Sequence, residues 1–281
     1  MAAFANLVFA GGGSRCFWQA GFWSVYDPEG TETPARVVAV SAGAAMACML
    51  FAGRTEFGLN YFKQQTSRNP RNFYPTRALK GGSAFPHEAI YRNAISATID
   101  ADALAALHAG PSIEVTMAGL PRWLGPQTAT VAGILAYDLE KYLFRPVHPR
   151  FGRMLGFRDL SKTVRACATP QALTDLILAS SGTPPFTPSA QFEGQTVLDG
   201  GLCDNVPVHP LVNQPGETLV LLSRRYAELP KVTHRTYVQP SAKAPVSMWD
   251  YTNPQALQDT FDLGRRDAES FVRSTHAATF R

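Results

Sequence analysis

Short apolar runs alternate along this chain with longer stretches whose apolar residues recur three and four positions apart. Leu7-Val8-Phe9-Ala10 and Val37-Val38-Ala39-Val40 are continuous runs, each closed by a glycine or a serine. Runs of this length bounded by turn residues predict buried strands. In Ser112–Ala118, Ile113, Val115 and Met117 alternate with Glu114 and Thr116, which also predicts a strand. Further strands are expected at Lys162–Ala168 and Leu219–Ser223, and an apolar segment leads into Asp199. The helical spacing covers Cys16–Tyr26, Gly43–Phe51, Phe85–Ile99, Ala101–His108, Ala129–Leu143, Pro170–Ala179 and Met248–Arg273. Strands separated by helices predict an α/β fold. A right-handed crossover between the first two strands makes them parallel, so the segments that follow both emerge at the carboxyl edge of the sheet. No linker or internal repeat interrupts the pattern, and one domain over residues 1–281 is expected.

Composition narrows the class. The chain has 281 residues, of which 45% are hydrophobic and only 17% charged, enough apolar material for a large core. A net charge of +4 is too small to point to nucleic acid. Cys16, Cys48, Cys167 and Cys203 are scattered without metal-ligand or redox spacing, and read as packing thiols in a reducing compartment. The N-terminal stretch lacks the pattern of a secretory signal, and no apolar run is long enough to span a bilayer. A cytoplasmic protein is the expectation.

Three segments carry candidate chemistry. Gly11-Gly12-Gly13-Ser14-Arg15 lies between the first strand and a helix. Such a loop turns backbone N–H groups toward one point at a helix N-terminus, which suits either a phosphate cradle or an oxyanion hole. The dinucleotide fingerprint fails, since Cys16 or Ser14 falls where glycine is needed, and no Gly-Lys-Ser/Thr follows for a P-loop. Ser41 stands at the second strand-to-helix turn, flanked two residues away by Ala39 and Gly43. Small residues at those places let strand and helix nearly touch, so Ser41 is either an exposed nucleophile or a helix cap. Asp199-Gly200-Gly201 closes the late apolar segment, either as a placed carboxylate or as turn chemistry alone.

In their order, these segments resemble the patatin-like phospholipases. Ala179–Pro188, rich in Ser and Pro, is similar to the family's segment ahead of its Asp, and Asn205-Val206-Pro207 is similar to its Asn-x-Pro tail. The resemblance runs from about Asn6 to Val208. It implies a three-layer α/β fold, with a largely parallel sheet and helices on both faces. It also implies hydrolysis of lipid acyl esters by a Ser-Asp dyad without metal or cofactor. Ser41 would be the nucleophile and Asp199 the base, with Gly11, Gly12, Gly13 and Ser14 forming the oxyanion hole. Arg15, Ala39, Gly43, Gly200 and Gly201 would support them. Ala39 replaces the first glycine of the nucleophile turn, and Cys16 a glycine after the basic residue.

Three other readings compete. A Ser-Asp-His esterase could use Ser41 with Asp175 or Asp199 and His209 or His276, which fall in a workable chain order. A nucleotide-binding protein could use the glycine loop alone, and a catalytically weak relative could survive as a binding module. The basic, aromatic stretches Arg54–Lys80 and Phe144–Arg158 are either surfaces for anionic lipid head groups or ordinary solvated faces.

Overall fold

The computed structural model describes residues 4–121, 123–143 and 146–279. In chain order it contains β1 (Asn6–Phe9), α1 (Phe17–Tyr26), β2 (Arg36–Val40), α2 (Ala42–Phe51), α3 (Thr55–Ser67), α4 (Pro75–Leu79), α5 (His87–Thr98) and α6 (Ala101–Ala109). Next come β3 (Ser112–Gly119), α7 (Pro126–Leu143), α8 (Phe151–Met154), β4 (Arg158–Thr163), α9 (Pro170–Ser180), β5 (Ala190–Phe192), β6 (Gln195–Asp199) and α10 (Gly201–Asp204). The chain ends with β7 (Thr218–Leu221), β8 (Arg235–Val238) and α11 (Pro254–Thr279).

The strands form one mixed, mostly parallel sheet. β1 pairs in parallel with β2 and β7, β2 with β3, and β7 with β8, while β4, β5 and β6 join antiparallel. Alternation along the strands sorts side chains to two faces. Leu7, Phe9, Val37, Ala39, Ile113 and Val115 enter the main core beneath α1, α2, α5 and α9. Val8, Ala10, Val38 and Val220 face a thinner layer made by segments around Val147, Val206 and Leu211, and α7, α8 and α10 continue that layer with their own small core. This is the three-layer α/β arrangement expected.

α11 closes the first face by lying against α1. An added Cβ at Gly21 would meet the Phe261 carbonyl, and one at Gly264 the Trp18 carbonyl, so each helix keeps a glycine where the other's backbone passes. Trp18 Nε1 donates to Asp267 at 2.7 Å across the same contact.

Some element bounds differ from the sequence expectation. The strand expected at Lys162–Ala168 lies at Arg158–Thr163, and a single 3-10 turn, Val164–Ala166, follows it. Its residues are largely polar because this strand pairs only with β3 and leaves its far side to solvent. The helix expected from Met248 starts at Pro254, where the proline's fixed φ suits a first turn. Met248–Asp250 is irregular chain instead, and it reaches the glycine loop.

Candidate active site

The position of the site follows from the way β3 divides its edges. β2 pairs with β3 from Ser112 to Thr116, and Val40 is its last partner. β4 occupies β3 from Glu114 to Gly119, so it must hold the opposite edge. β6 takes the edge that β2 vacates, with Asp199 opposite Met117. Ser41 leaves the sheet one step after Val40, and Asp199 arrives one step after Thr116. Residues far apart in sequence therefore meet at a single register step.

Ser41 holds a φ of 55° and a ψ of −135°, a backbone conformation that L residues rarely adopt. Such a residue costs about 1–3 kcal/mol and persists only where its surroundings fix it. Here they do. The Ser41 N–H donates to Ser180 Oγ at 2.7 Å, and Ser180 Oγ donates to the Thr116 carbonyl at 2.7 Å. Behind the turn, a Cβ on Gly43 would stand 2.6 Å from the carbonyl oxygens of Phe9 and Ala10, so only glycine lets α2 approach β1 this closely. Ala39 is fully buried in the main core, and its methyl fits there. The Ser41 side chain makes no capping hydrogen bond to α2. The Ser41 hydroxyl instead neighbours the Asp199 carboxylate and eases its ionisation.

Asp199 is held by its own turn. Its Oδ1 accepts the Gly201 N–H at 2.7 Å, and its Oδ2 accepts from Thr183 Oγ1 at 3.3 Å. The Asp199 N–H donates to the Gly182 carbonyl at 2.8 Å, and the close approach of Gly200 to the Thr116 carbonyl leaves no room for a side chain. Burial raises the Asp199 carboxyl to about 6, against the opposing hydrogen bonds from Ser41, Gly201 and Thr183. The hydrogen bonds from Gly201 and Thr183 hold the carboxylate in place.

The glycine loop faces the same cavity as Ser41 and Asp199, through Gly12 and Gly13. The Gly11 carbonyl accepts from Asn205 Nδ2 at 3.1 Å and from Ser223 Oγ at 2.5 Å, and the Gly11 N–H donates to the Asn205 carbonyl at 3.0 Å. The Ser14 N–H donates to the Met248 carbonyl at 3.1 Å. Gly11 and Ser14, expected among the oxyanion donors, therefore have their N–H groups engaged elsewhere. Gly12 and Gly13 have no such partner among the described residues, and their N–H groups are the two left for a ligand. Arg15 Nε donates to the Gly12 carbonyl at 3.2 Å, which gives Arg15 a loop-holding role. Cys16 fills the place behind the loop: its thiol is buried, donates to the Ala10 carbonyl at 3.5 Å, and is pushed up to about 12 by burial.

The cavity that Ser41 and Asp199 face is walled by Thr183–Phe186, Leu202, Met248 and Trp249, and by Ile134, Tyr137 and Asp138 of α7. On the far side of Gly13 an apolar cavity opens between α2, α3 and α5, lined by Ala42, Met46, Met49, Phe62 and Ile95. No described histidine lines the cavity of Ser41 and Asp199. His209 borders a different one with Arg153 and Asp159, and Asp175 pairs with Arg92 on the surface. The side chain of His276 lies outside the described residues. Among the described side chains, the Ser-Asp-His arrangement finds no histidine beside Ser41.

Ser180, which accepts the Ser41 N–H, is the neighbour of Ser41 that the sequence did not single out. Its only signal was its place at the end of a helix ahead of a Ser-Gly-Thr-Pro segment, and its partner Ser41 is 139 residues away. Asn205 and Ser223 brace the loop in the same long-range manner. Among the described residues there is no cluster of side chains suited to a metal ion.

A family model described as patatin-like phospholipase matches residues 7–212. That span includes the glycine loop, Ser41 and Asp199, and ends before β7. No curated protein matches the chain.

Proposed function

The chain belongs to the patatin-like phospholipase family, whose general chemistry is lipid acyl hydrolysis, and on that premise we propose that Ser41 and Asp199 act as a two-residue catalytic unit on acyl esters. The observation that carries this reading is the meeting of three groups in one cavity. These are the hydroxyl of a serine with a strained backbone, a neighbouring buried carboxylate, and the Gly12 and Gly13 N–H groups, which have no partner among the described residues.

In the proposed reaction, Asp199 takes the hydroxyl proton as Ser41 Oγ attacks the ester carbonyl carbon. The carbonyl oxygen gains the negative charge and is received by the N–H groups of Gly12 and Gly13. Collapse of this intermediate breaks the ester bond, and Asp199 returns its proton to the departing alcohol. Water then attacks the acyl-serine as Asp199 again takes a proton, and Asp199 returns that proton to Ser41 Oγ as the acyl–serine bond breaks and the fatty acid leaves. An ordinary aspartate near 3.9 is a weak base at neutral pH. Burial raises this one to about 6, which brings it closer to the working range of a general base. The apolar cavity beside Ala42 supplies a place for an acyl chain, which favours lipid esters over small polar ones.

The test is hydrolysis of a fluorogenic ester series, from short to long acyl chains, by wild type and by Ser41→Ala, Asp199→Asn and His209→Ala. Activity should rise with chain length, disappear in the first two variants and survive in the third. A loss in His209→Ala comparable with that in Ser41→Ala would overturn the dyad.

A further inference from the structure

Twelve large hydrophobic side chains stand well exposed among the described residues, and seven of them lie between Trp123 and Met154. α7 accounts for most of this group. Its residues divide into three flanks by helical spacing. One flank, with Ala129, Gly133 and Glu140, packs on the body of the protein: Gly133 against the Phe157 ring, and Glu140 by accepting the Arg150 and Phe151 N–H groups. A second flank, with Ile134, Tyr137 and Asp138, lines the catalytic cavity. The third carries Val131, Leu135, Leu139, Tyr142 and Leu143, spaced four, four, three and one apart. These are 52–80% exposed. Trp123 and Met154 flank the helix at 70% and 78% exposure.

Resting on the acyl-hydrolase reading above, we propose that this third flank of α7 docks on the surface of a lipid bilayer. An apolar stripe this long on one helix face is more than the scattered apolar exposure of ordinary surfaces. A helix with one apolar face and a body-anchored opposite side is suited to lie in the plane of a membrane interface. Tyr142 and Trp123 add side chains with an apolar body and a polar tip, as that interface favours. The occupant is set by the neighbouring flank. Because the same helix walls the catalytic cavity, whatever covers the stripe sits beside the cavity mouth. A bilayer there presents the substrate, whereas a protein partner would obstruct it.

The attraction proposed for this stripe is apolar. In the basic stretch Arg54–Lys80, Arg54 pairs with Asp100, Lys63 donates to Gln258 and Arg77 lies over the Tyr74 ring. In the second stretch Arg153 pairs with Asp159 and Arg158 donates to Gln195, while Phe144 and Arg145 lie outside the described residues. Arg68, Arg71, Lys80 and Arg150 are exposed without an ion pair among the described residues, but none of them belongs to the α7 stripe, whose five residues carry no charge.

The experiment is flotation with phosphatidylcholine vesicles, using wild type, Ser41→Ala, and the double variant Leu135→Ser/Leu139→Ser. Both leucines are exposed, so the double variant should keep its thermal midpoint and its rate on a short soluble ester. Wild type and Ser41→Ala should float alike, at 0.15 M and at 0.5 M salt. The double variant should partition about tenfold more weakly or worse, and hydrolysis of vesicle lipid should fall with it. Flotation of the double variant equal to wild type overturns the proposal. So does failure of wild type to float, or a wild-type dimer on gel filtration that the double substitution splits into monomers, which assigns the stripe to a second copy of the chain. If Ser41→Ala floats while wild type cleaves no ester, docking stands and the hydrolase reading fails.

Discussion

Asp199→Asn should inactivate the protein and, at neutral pH, make it more stable. Burial holds the native carboxyl at about 6, whereas an unfolded aspartate titrates near 3.9. The native state therefore grips the proton more tightly than the unfolded chain. A raised carboxyl favours folding below about pH 4, and that advantage disappears as pH climbs through about 6. Above that range, keeping the charge in the site costs up to ~3 kcal/mol relative to the unfolded chain. Asparagine has nearly the same shape, still accepts the Gly201 N–H through its carbonyl, and carries no charge to desolvate. The variant should exceed wild type by about 1–3 kcal/mol at pH 7.5, and the gap should close near pH 4. Denaturant midpoints of both proteins at the two pH values measure this directly. A variant no more stable than wild type at pH 7.5, or a gap that widens in acid, would refute the reasoning. Wild-type activity should follow the same group, with an acid limb that falls off below about pH 6.

Ser180→Ala removes the acceptor for the Ser41 N–H and the donor to Thr116, both buried. It should cost about 1–3 kcal/mol of stability and lower kcat with little change in KM, read by thermal melts and ester kinetics. Gly43→Ala forces a methyl against the Phe9 and Ala10 carbonyls and should cost about 1–3 kcal/mol, with loss of activity in whatever soluble protein remains. Ala39→Gly restores the glycine usual in the family yet removes a buried methyl from the main core. It should lower the melting midpoint through a loss of about 1–2 kcal/mol without raising activity.

Much of the site was legible because its parts are local turn chemistry. The glycine loop, the Ser41 turn and the Asp199-Gly200-Gly201 turn each follow a short apolar strand, and apolar runs ending in small residues announce themselves. The third segment was less complete: β6 is too short and too polar at Gln195 for the sequence to show that it runs antiparallel. β4 was displaced because its outward residues follow the polarity of a one-sided strand. α3 hides in a polar stretch because it buries only Gly58, Leu59, Phe62 and Thr66. The bonds that engage the Gly11 and Ser14 N–H groups were not legible. They run from Gly11 to Asn205 and from Ser14 to Met248, and no local pattern records a pairing across most of the chain.

That last feature bears on how the molecule comes into being during synthesis. Asn205 reaches the Gly11 carbonyl across 194 residues, and Ser14 Oγ reaches the Asp250 carbonyl across 236. At roughly 5–20 residues per second, β1 and its loop leave the ribosome well before the segments that fix them. The edge of β1 that β7 will occupy stays open through the same interval. A chain assembled in this order carries its Ser41 turn early but lacks a fully braced glycine loop until its last fifth is made. On the proposed reading the newborn chain therefore cannot stabilise an oxyanion until those late segments arrive, and a stalled or truncated chain is left without the loop's anchors.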